Sequence, residues 1–385
     1  MGCEAAQGVI MRKIKWGIRI ELVLLVAVVC VWLVKEIGSR DNDGQAGNGF
    51  VWEETENAGE AVEVSADGSY IKWVDFNITC EAMKKAYELD VDSYQDEIHT
   101  DWIELLAYVG ARHGGKFDKN SVSELQETAE KLRSGETTME QLTKKMEYYD
   151  YYKEAYGAVL SGMVGEFSLE VPKGDTGEKE WKNFYGLKAF SPIAKGFDYS
   201  HYDDFGSSRS YGYSRPHLGH DMMGQIGTPI IAIESGYVEA LGWNQYGGWR
   251  IGIRSFDGKR YYYYAHLRQN FPYNKQLEVG SIVTAGDVVG YMGHTGYSTT
   301  ENVNNIEVVH LHWGLELIFD ESQKESNNEI WIDCYELTKF LYQNRSETVK
   351  DEATKEWHRV YQMKDPAVEN AGEFRRPRTE SSPET

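Results

Sequence analysis

Two short motifs bring together side chains of the types that bind metal ions. His217 and Asp221 stand four residues apart, and His310 and His312 flank Leu311 within an apolar run. Such a run is typical of a β-strand, in which residues i and i+2 point to the same face, so both imidazoles should project from one side of a sheet. Two imidazole nitrogens and one carboxylate oxygen are a common ligand set for catalytic zinc and leave a fourth position for water. The motifs therefore predict one zinc ion per chain, which would lower the pKa of its bound water toward ~7.

Histidines that the metal does not need could take part in catalysis. His266 follows a predicted strand, and with one member of the His310–His312 pair it could orient a nucleophile and stabilise a tetrahedral oxyanion. The alternative is that each histidine is only a polar side chain on a β-surface. Six of the ten histidines fall between residues 217 and 312. Because buried or clustered imidazoles without partners are costly, the set as a whole favours a functional site.

The elements around these histidines predict an all-β domain over residues 185–345. Thr228–Gly236 is typical of a strand followed by a turn. Trp249–His266 predicts a hairpin, with Asp257-Gly258 at the turn between two alternating runs. Short apolar runs among closely spaced glycines at residues 280–293 are typical of tightly turned antiparallel strands. A small antiparallel sheet is therefore expected to position the candidate ligands.

Part of this domain, from Arg215 to Leu317, resembles the lysostaphin/LytM-type zinc metallopeptidases, which cut peptidoglycan peptides. The H-x-G-x-D, G-T-P, Y-x-H-L, glycine-rich and H-L-H-[FW] motifs of that family are matched by His217–Asp221, Gly227–Val238, Tyr264–Leu267, Gly280–Gly296 and His310–Trp313. The resemblance implies an antiparallel LytM-like fold with its site in a groove. It does not extend to the rest of the chain.

The resemblance also assigns roles to single residues. It implies that His217, Asp221 and His312 are the zinc ligands and that His266 and His310 are the catalytic histidines. One departure from the family pattern is a lengthened loop, residues 297–309, which is expected to flank the groove and to affect substrate preference. Two further histidines are not expected to bind the metal: His220 is predicted at the rim or behind the ligands, and His294 is predicted to line the groove.

Residues 71–170 are predicted to form a small α-helical domain. Trp102–Val109 has apolar residues at helical spacing, and Ser121-x-x-Glu124 and Thr138-x-x-Gln141 are typical of capping boxes that open two further helices. This domain is a candidate surface for a regulatory partner. The alternative is a second wall-cutting activity, such as a glycosidase, but that needs two carboxylates about 5–10 Å apart in a cleft, and the sequence singles out no such pair.

An apolar segment near the N-terminus predicts a membrane anchor. Residues 16–34 form a stretch of 19 residues with charges only in the first turn, which is long enough to cross a hydrocarbon core of ~30 Å as a helix. Basic residues precede it and acidic residues follow it, so the positive-inside rule places residues 1–15 in the cytoplasm as a short tail. Residues 35–70 are predicted to be an acidic linker outside the cell. The chain is thus expected to be a single-pass protein of the cell membrane.

A cleaved signal peptide is the alternative to an anchor. The sequence disfavours it because Lys35-Glu36 follows the apolar segment directly and no small-residue cleavage site is present.

The composition excludes several classes of protein. The chain of 385 residues has 61 acidic and 40 basic side chains and a net charge of −21, which argues against a nucleic-acid partner. Its four cysteines form no Cys-x-x-Cys pair, which excludes thiolate zinc sites, although Cys80 and Cys334 could pair. The charged, proline-containing residues 346–385 are predicted to be a mostly disordered tail with one helix near Ala353–Met363.

Together with the resemblance, these features predict a membrane-anchored extracellular zinc metalloendopeptidase. Its substrates would be peptide bonds of bacterial peptidoglycan, in a cross-link or a stem peptide, and its membrane contact would be the one N-terminal helix. The alternative is a catalytically silent LytM-like scaffold that binds the cell wall or a partner wall hydrolase. Such scaffolds normally lack at least one ligand, whereas all five site positions are filled here, so the sequence favours the enzyme.

Overall fold

A computed structural model describes residues 71, 74–210, 214–324 and 328–371. The predicted cytoplasmic tail (1–15), transmembrane helix (16–34) and acidic linker (35–70) lie outside these residues. No helix within the described ranges is both long enough and apolar enough to cross a membrane.

Helices make up the first part of the described chain. In chain order they are α1 (Cys80–Ser93), α2 (Trp102–His113), α3 (Lys119–Arg133), α4 (Met139–Thr143) and α5 (Tyr149–Leu160). The side chain of Asp101 accepts a hydrogen bond from a first-turn N–H of α2, and Gly114 ends that helix in the left-handed conformation with φ 59°. The capping box predicted at Thr138 is confirmed, although it opens only the short α4. At α3 the predicted cap is wrong, because Asp118 caps the helix and Ser121 occupies the third helical position.

A mostly antiparallel β-region follows the helices. Its strands are β1 (Val164–Pro172), β2 (Lys179–Leu187), β3 (Ser200–His201), β4 (Ser208–Ser210), β5 (Ser214–Pro216), β6 (His220–Met223), β7 (Pro229–Ile231), β8 (Gly236–Asn244), β9 (Gly248–Ser255), β10 (Arg260–Ala265), β11 (Ile282–Val283), β12 (Val288–Tyr291), β13 (His310–Leu317) and β14 (Ile330–Trp331). The largest sheet has the order β11-β8-β9-β10-β13-β6-β3, with β14 also paired to β13. The hairpin predicted around Asp257-Gly258 is confirmed as β9–β10.

The helices and the sheet share one apolar core. Trp102 and Leu105 of α2 belong to the same buried cluster as Leu315 of β13, and the Trp102 ring lies 5.8 Å from the ring of Phe340 in α6 (Tyr335–Leu341). Periodicity shows which face of a helix is apolar but not what covers it, so the sequence could not reveal this shared core. The end of the predicted helical range also differs, since residues 164–170 lie in β1 and pair with β2.

The C-terminal residues do not form the predicted disordered tail. Strands β15 (Thr348–Lys350), β16 (Trp357–Arg359) and β17 (Met363–Lys364) and helix α7 (Pro366–Glu369) are formed, and no helix covers residues 353–363 of this described range. Strand β17 adds to β1. Buried Asp365 forms an ion pair with Lys188 at 2.9 Å and accepts a hydrogen bond from Ser235. The charged composition of residues 346–371 does not reveal this order, because the partners of their apolar and acidic side chains lie far away in the sequence. Residues 372–385 lie outside the described range.

The two cysteines considered as a pair remain separate. Cys80 at the start of α1 and Cys334 just before α6 are both buried free thiols.

Candidate metal centre

Three neighbouring strands position the histidine and aspartate side chains. Strand β13 pairs with β6 so that His312 stands opposite Asp221, and it pairs with β10 so that His312 also stands opposite Ala265, the residue before His266. Leu311 is fully buried in the core, whereas His310 and His312 line the same cavity. The alternation predicted for the His-Leu-His motif is therefore confirmed.

Three donor atoms converge at the base of this cavity of about 370 Å³. Nε2 of His217 lies 3.0 Å from Oδ1 of Asp221 and 3.0 Å from Nδ1 of His312, and the latter two atoms are 2.9 Å apart. Ligands held tetrahedrally at about 2.0–2.1 Å from a zinc ion would be separated by roughly 3.3 Å. In the described part of the chain these three residues are the one group of such side chains with the spacing of a metal site.

The hydrogen bond at Nδ1 of His217 suits the ring for a role as a metal ligand. Nδ1 lies 3.2 Å from the carbonyl oxygen of Asp204, which can only accept, so Nδ1 is placed to donate; in the tautomer with its proton on Nδ1, Nε2 has a lone pair for a metal ion. In that tautomer Nε2 and the carboxylate of Asp221 direct lone pairs to one point, as two ligands of one metal ion do. The donor set therefore fits a zinc ion, with Asp204 holding His217 in the required tautomer.

Gly219, the glycine of the first motif, is required because the ring of His312 packs closely against its backbone. A Cβ atom at Gly219 would lie 2.5 Å from Cε1 of His312 and 2.9 Å from the carbonyl oxygen of Trp313. Any larger residue would have to displace the ring of His312, so Gly219 allows β6 and β13 to bring the ligands together.

Asp221 is held in its charged form. Its burial alone would raise the pKa of the carboxyl group, but hydrogen bonds with His217 and His312, followed by the charges of His312 and His310, outweigh burial and lower the pKa well below its usual range. The second carboxylate oxygen faces Nη2 of Arg209 at 3.3 Å, and Arg209 also pairs with Asp204. An ionised, oriented carboxylate is the form that binds a metal ion.

The two histidines predicted to be catalytic lie beside this triangle but outside it. Nδ1 of His266 donates to the carbonyl oxygen of Thr295 at 3.0 Å, and Nδ1 of His310 donates to that of Val308 at 2.8 Å. In the tautomer with its proton on Nδ1, each ring has a lone pair at Nε2; the two rings are 4.7 Å apart, and Nε2 of His310 lies 3.7 Å from Oδ1 of Asp221. Burial, followed by the charges of neighbouring histidines, lowers the pKa of His266, which also adopts a left-handed φ of 60°.

The family model of Peptidase family M23 matches residues 215–329, which contain all five of these side chains. This segment is a Peptidase family M23 domain. The L-Ala–D-Glu endopeptidase of Bacillus subtilis (strain 168) is 38% identical over 130 residues, covering 34% of this chain and 38% of the relative. Lysostaphin of Staphylococcus simulans is 42% identical over 89 residues, covering 23% of this chain and 17% of the relative. The chain thus spans well under half the length of these relatives.

Solved structures of related proteins are also similar to this chain. The catalytic domain of lysostaphin from Staphylococcus simulans is 31% identical and covers 37% of this chain and 92% of that domain, with a TM-score of 0.29. A LytM from Ruminococcus gnavus ATCC 29149 is 24% identical and covers 71% of this chain and 91% of its own, with a TM-score of 0.45.

Two other histidines of the M23 domain do not join the metal ligands. His220 points to the opposite side of β6 from Asp221, where it is buried and its Nε2 lies 2.8 Å from Nδ1 of His201. Burial, followed by the neighbouring His201, lowers the pKa of His220 to about 3. The prediction for His294 is that it lines the groove, but it is not among the residues that line the cavity. Its Nδ1 instead donates to the carbonyl oxygen of Ile306 at 2.7 Å. It therefore fastens a loop rather than facing a ligand.

That loop, residues 297–309, is the lengthened segment of the M23 domain and does flank the groove. Tyr297 and Val308, near its two ends, line the cavity. Between them, the side-chain oxygen of Asn302 accepts hydrogen bonds from Trp249 at 2.9 Å and from the backbone N–H of Asn270 at 2.8 Å. The loop is thus bound to the sheet, and its ends form one wall of the site.

Sequence reasoning missed three polar residues of the site. Asp204 and Arg209 lie in a segment without periodicity, and nothing local signalled that they contact His217 and Asp221. Arg215 did carry a signal, because it lies two residues before His217 in an extended segment, where such residues share a face.

Proposed function

We propose that this protein is a zinc metalloendopeptidase that hydrolyses peptide bonds of bacterial peptidoglycan. The observation that carries the proposal is the triangle formed by His217 Nε2, Asp221 Oδ1 and His312 Nδ1, with separations of 2.9–3.0 Å. Its position at the base of an open cavity suits catalysis, since a purely structural zinc site would be closed by a fourth protein ligand.

The three ligands and the two neighbouring histidines would have different roles in catalysis. A zinc ion held by the three ligands would supply a nucleophile at neutral pH by lowering the pKa of a bound water toward ~7. His266 and His310 line the cavity, and carbonyl acceptors at Nδ1 fix both rings. They are suited to hold the proton that the water loses, to deliver it to the leaving amine and to stabilise the charge of the carbonyl oxygen.

The relatives support the class of substrate. One is named an L-Ala–D-Glu endopeptidase, and another, from Staphylococcus capitis, is named a glycyl-glycine endopeptidase and is 38% identical over 89 residues. Both names describe the cleavage of a peptide bond between two specified amino acids. We extend that class of reaction to this chain, with wall peptides as its substrates.

The experiment uses the full-length protein, because the helices and the M23 domain share one core. Zinc content would be measured by mass spectrometry, and new amino groups would be counted after incubation with purified cell walls. We expect about one zinc ion per chain and release of amino groups, with His310→Ala as a variant that keeps zinc but not turnover. Zinc-loaded protein that binds walls without releasing amino groups would support the scaffold alternative and reject the enzyme.

We further propose that residues 16–34 anchor the protein in the cell membrane and that the M23 domain lies outside the cell. The length of the apolar segment and the basic residues before it support this orientation. Protease treatment of intact cells stripped of wall should release the M23 domain while the first 15 residues stay protected. Protection of the M23 domain from protease would contradict the proposal.

A further inference from the structure

Arg215 places a cation in the wall of the metal cavity. It lies in β5, two residues before the ligand His217, and lines the same cavity as the three ligands. The ends of the lengthened loop, including Tyr297, complete this side of the cavity. A peptide bound at the predicted ligands would therefore share the cavity with the guanidinium group.

The charge of Arg215 is not matched by a carboxylate, in contrast to that of its neighbour across the β4–β5 hairpin. Arg209 stands opposite Arg215 in this register and forms ion pairs with both Asp204 and Asp221. Among the described residues no Asp or Glu lies within ion-pair distance of Arg215. The side chain is also partly buried, so water neutralises its charge less effectively than at an open surface.

The guanidinium group is held in place by aromatic rings rather than by acids. Its central carbon lies 5.9 Å from the ring of Tyr246 and 5.9 Å from that of Tyr297, and Nη2 donates to the Tyr297 hydroxyl at 3.3 Å. The Nε–H is buried and has no acceptor among the described residues. Rings on which a guanidinium packs restrict its motion without neutralising its charge, and the terminal nitrogens have no carboxylate partner among the described residues, so they can donate to an anion in the cavity.

We propose that Arg215 binds a carboxylate group of the substrate beside the scissile bond. The protein would then select acidic stem peptides, in which a residue next to the cleaved bond has a free carboxylate, over uncharged glycine bridges. A planar, pre-oriented guanidinium suits a carboxylate because it can donate two parallel hydrogen bonds. The inference rests on the proposed endopeptidase function and specifies the chemistry of its substrate.

The test compares two peptides that differ in one functional group. Both contain an L-Ala–D-Glu bond; one has the free carboxylate on the D-Glu residue, and in the other this group is the amide. Full-length, zinc-loaded wild-type protein, Arg215→Gln and Arg215→Lys would be assayed with both peptides and with pentaglycine. Arg133→Gln, which removes an exposed arginine of α3 paired with Asp96, is the matched control.

We expect the wild type to cleave the carboxylate peptide about 10–100-fold more efficiently than the amide, as judged by kcat/KM. Arg215→Gln should remove this preference by losing activity on the carboxylate peptide alone. Arg215→Lys should keep only part of it, because an ammonium group lacks the planar fork. Arg133→Gln should behave as the wild type.

Other outcomes separate failure of the inference from failure of the proposed function. Equal cleavage of both peptides, or equal losses on both in Arg215→Gln, would overturn the role of Arg215 and leave the endopeptidase intact. If no peptide and no wall is cleaved, the proposed function fails. Binding of the two peptides to zinc-loaded His310→Ala, with and without Arg215→Gln, then still decides the inference, since equal dissociation constants would reject carboxylate recognition.

Discussion

Two buried polar clusters of this protein differ in how their hydrogen-bonding capacity is used. Arg260, at the start of β10, is fully buried and donates to Glu234 at 2.7 and 3.0 Å, to Asp257 at 2.9 Å and to the carbonyl oxygen of Ala158 at 2.8 Å. Glu234 also accepts from the hydroxyl group of Tyr262 at 2.6 Å. Donors and acceptors match, so the cluster is complete without a ligand.

In the candidate metal centre, atoms of the kind that bind metal ions converge on one point. Nε2 of His217, Oδ1 of Asp221 and Nδ1 of His312 lie within 3.0 Å of one another, and Nε2 of His310 lies 3.7 Å from Oδ1 of Asp221. The difference teaches how to separate structural from functional polar clusters. A buried cluster with matched donors and acceptors joins parts of the fold, here helix α5 to the sheet, whereas a cluster of metal-binding atoms within 3.0 Å of one another is suited to bind a cation.

The largest predicted effect is the loss of a metal ligand. His217→Ala, Asp221→Ala and His312→Ala should each abolish both stoichiometric zinc binding and activity, because a three-ligand site loses its geometry when any one ligand is removed. Zinc per chain, measured by mass spectrometry, is the readout, and His358→Ala, which removes an exposed histidine of β16, is the control. Full zinc occupancy in all three variants would contradict the assignment.

The Arg260 cluster should respond with a loss of stability instead. Arg260→Met leaves Glu234 buried without its ion-pair partner and should lower the free energy of unfolding by about 3–5 kcal/mol in urea titrations. Zinc stoichiometry of the folded variant should not change. Lys153→Met, which breaks an exposed pair with Glu104, is the matched control and should cost no more than about 1 kcal/mol. A folded Arg260→Met protein without zinc would show that the two clusters are not separate.

Substituting the two histidines that are not predicted ligands should separate catalysis from zinc binding within the site. His266→Ala and His310→Ala should keep zinc and lose about 10²–10³-fold in kcat, the usual cost of a group that stabilises charge in the transition state. The zinc content of each variant and its kcat on wall peptides would be measured in parallel. If either variant were isolated without metal, the division into ligands and catalytic histidines would need revision.

The smallest predicted effect is on zinc affinity, when the space beside the ring of His312 is filled by a methyl group. Gly219→Ala should weaken zinc binding by about 10–100-fold, the range seen when a group that orients a ligand is altered, because its methyl group would displace the ring of His312. Competition with a chelator measures the affinity. Gly157→Ala in α5, where a methyl group would have no neighbour closer than 4.0 Å, should bind zinc like the wild type, and equal affinities in both variants would refute the steric argument.

Features that depend on residues close together in the sequence could be predicted, and features that depend on distant residues could not. The ligand set was accessible because His310 and His312 alternate within one strand and because Gly219 marks the turn of a known motif. The contacts of Asp204 and Arg209, the Arg260 cluster and the burial of Asp365 were not, since each joins segments that no periodic pattern connects. The ordered C-terminal residues were missed for the same reason, as their charged composition resembles that of disordered chains.

The position of the ligands on β6 and β13 has a consequence for folding order. Asp221 and His312 are 91 residues apart in the chain and meet only when the two strands are in register. Pairing of such distant segments is slow because a long loop must close first. The third predicted ligand therefore arrives with the central strands of the sheet, and the candidate metal site is completed late in folding rather than at its start. A chain synthesised only as far as the first motif would hold just two of the three predicted ligands.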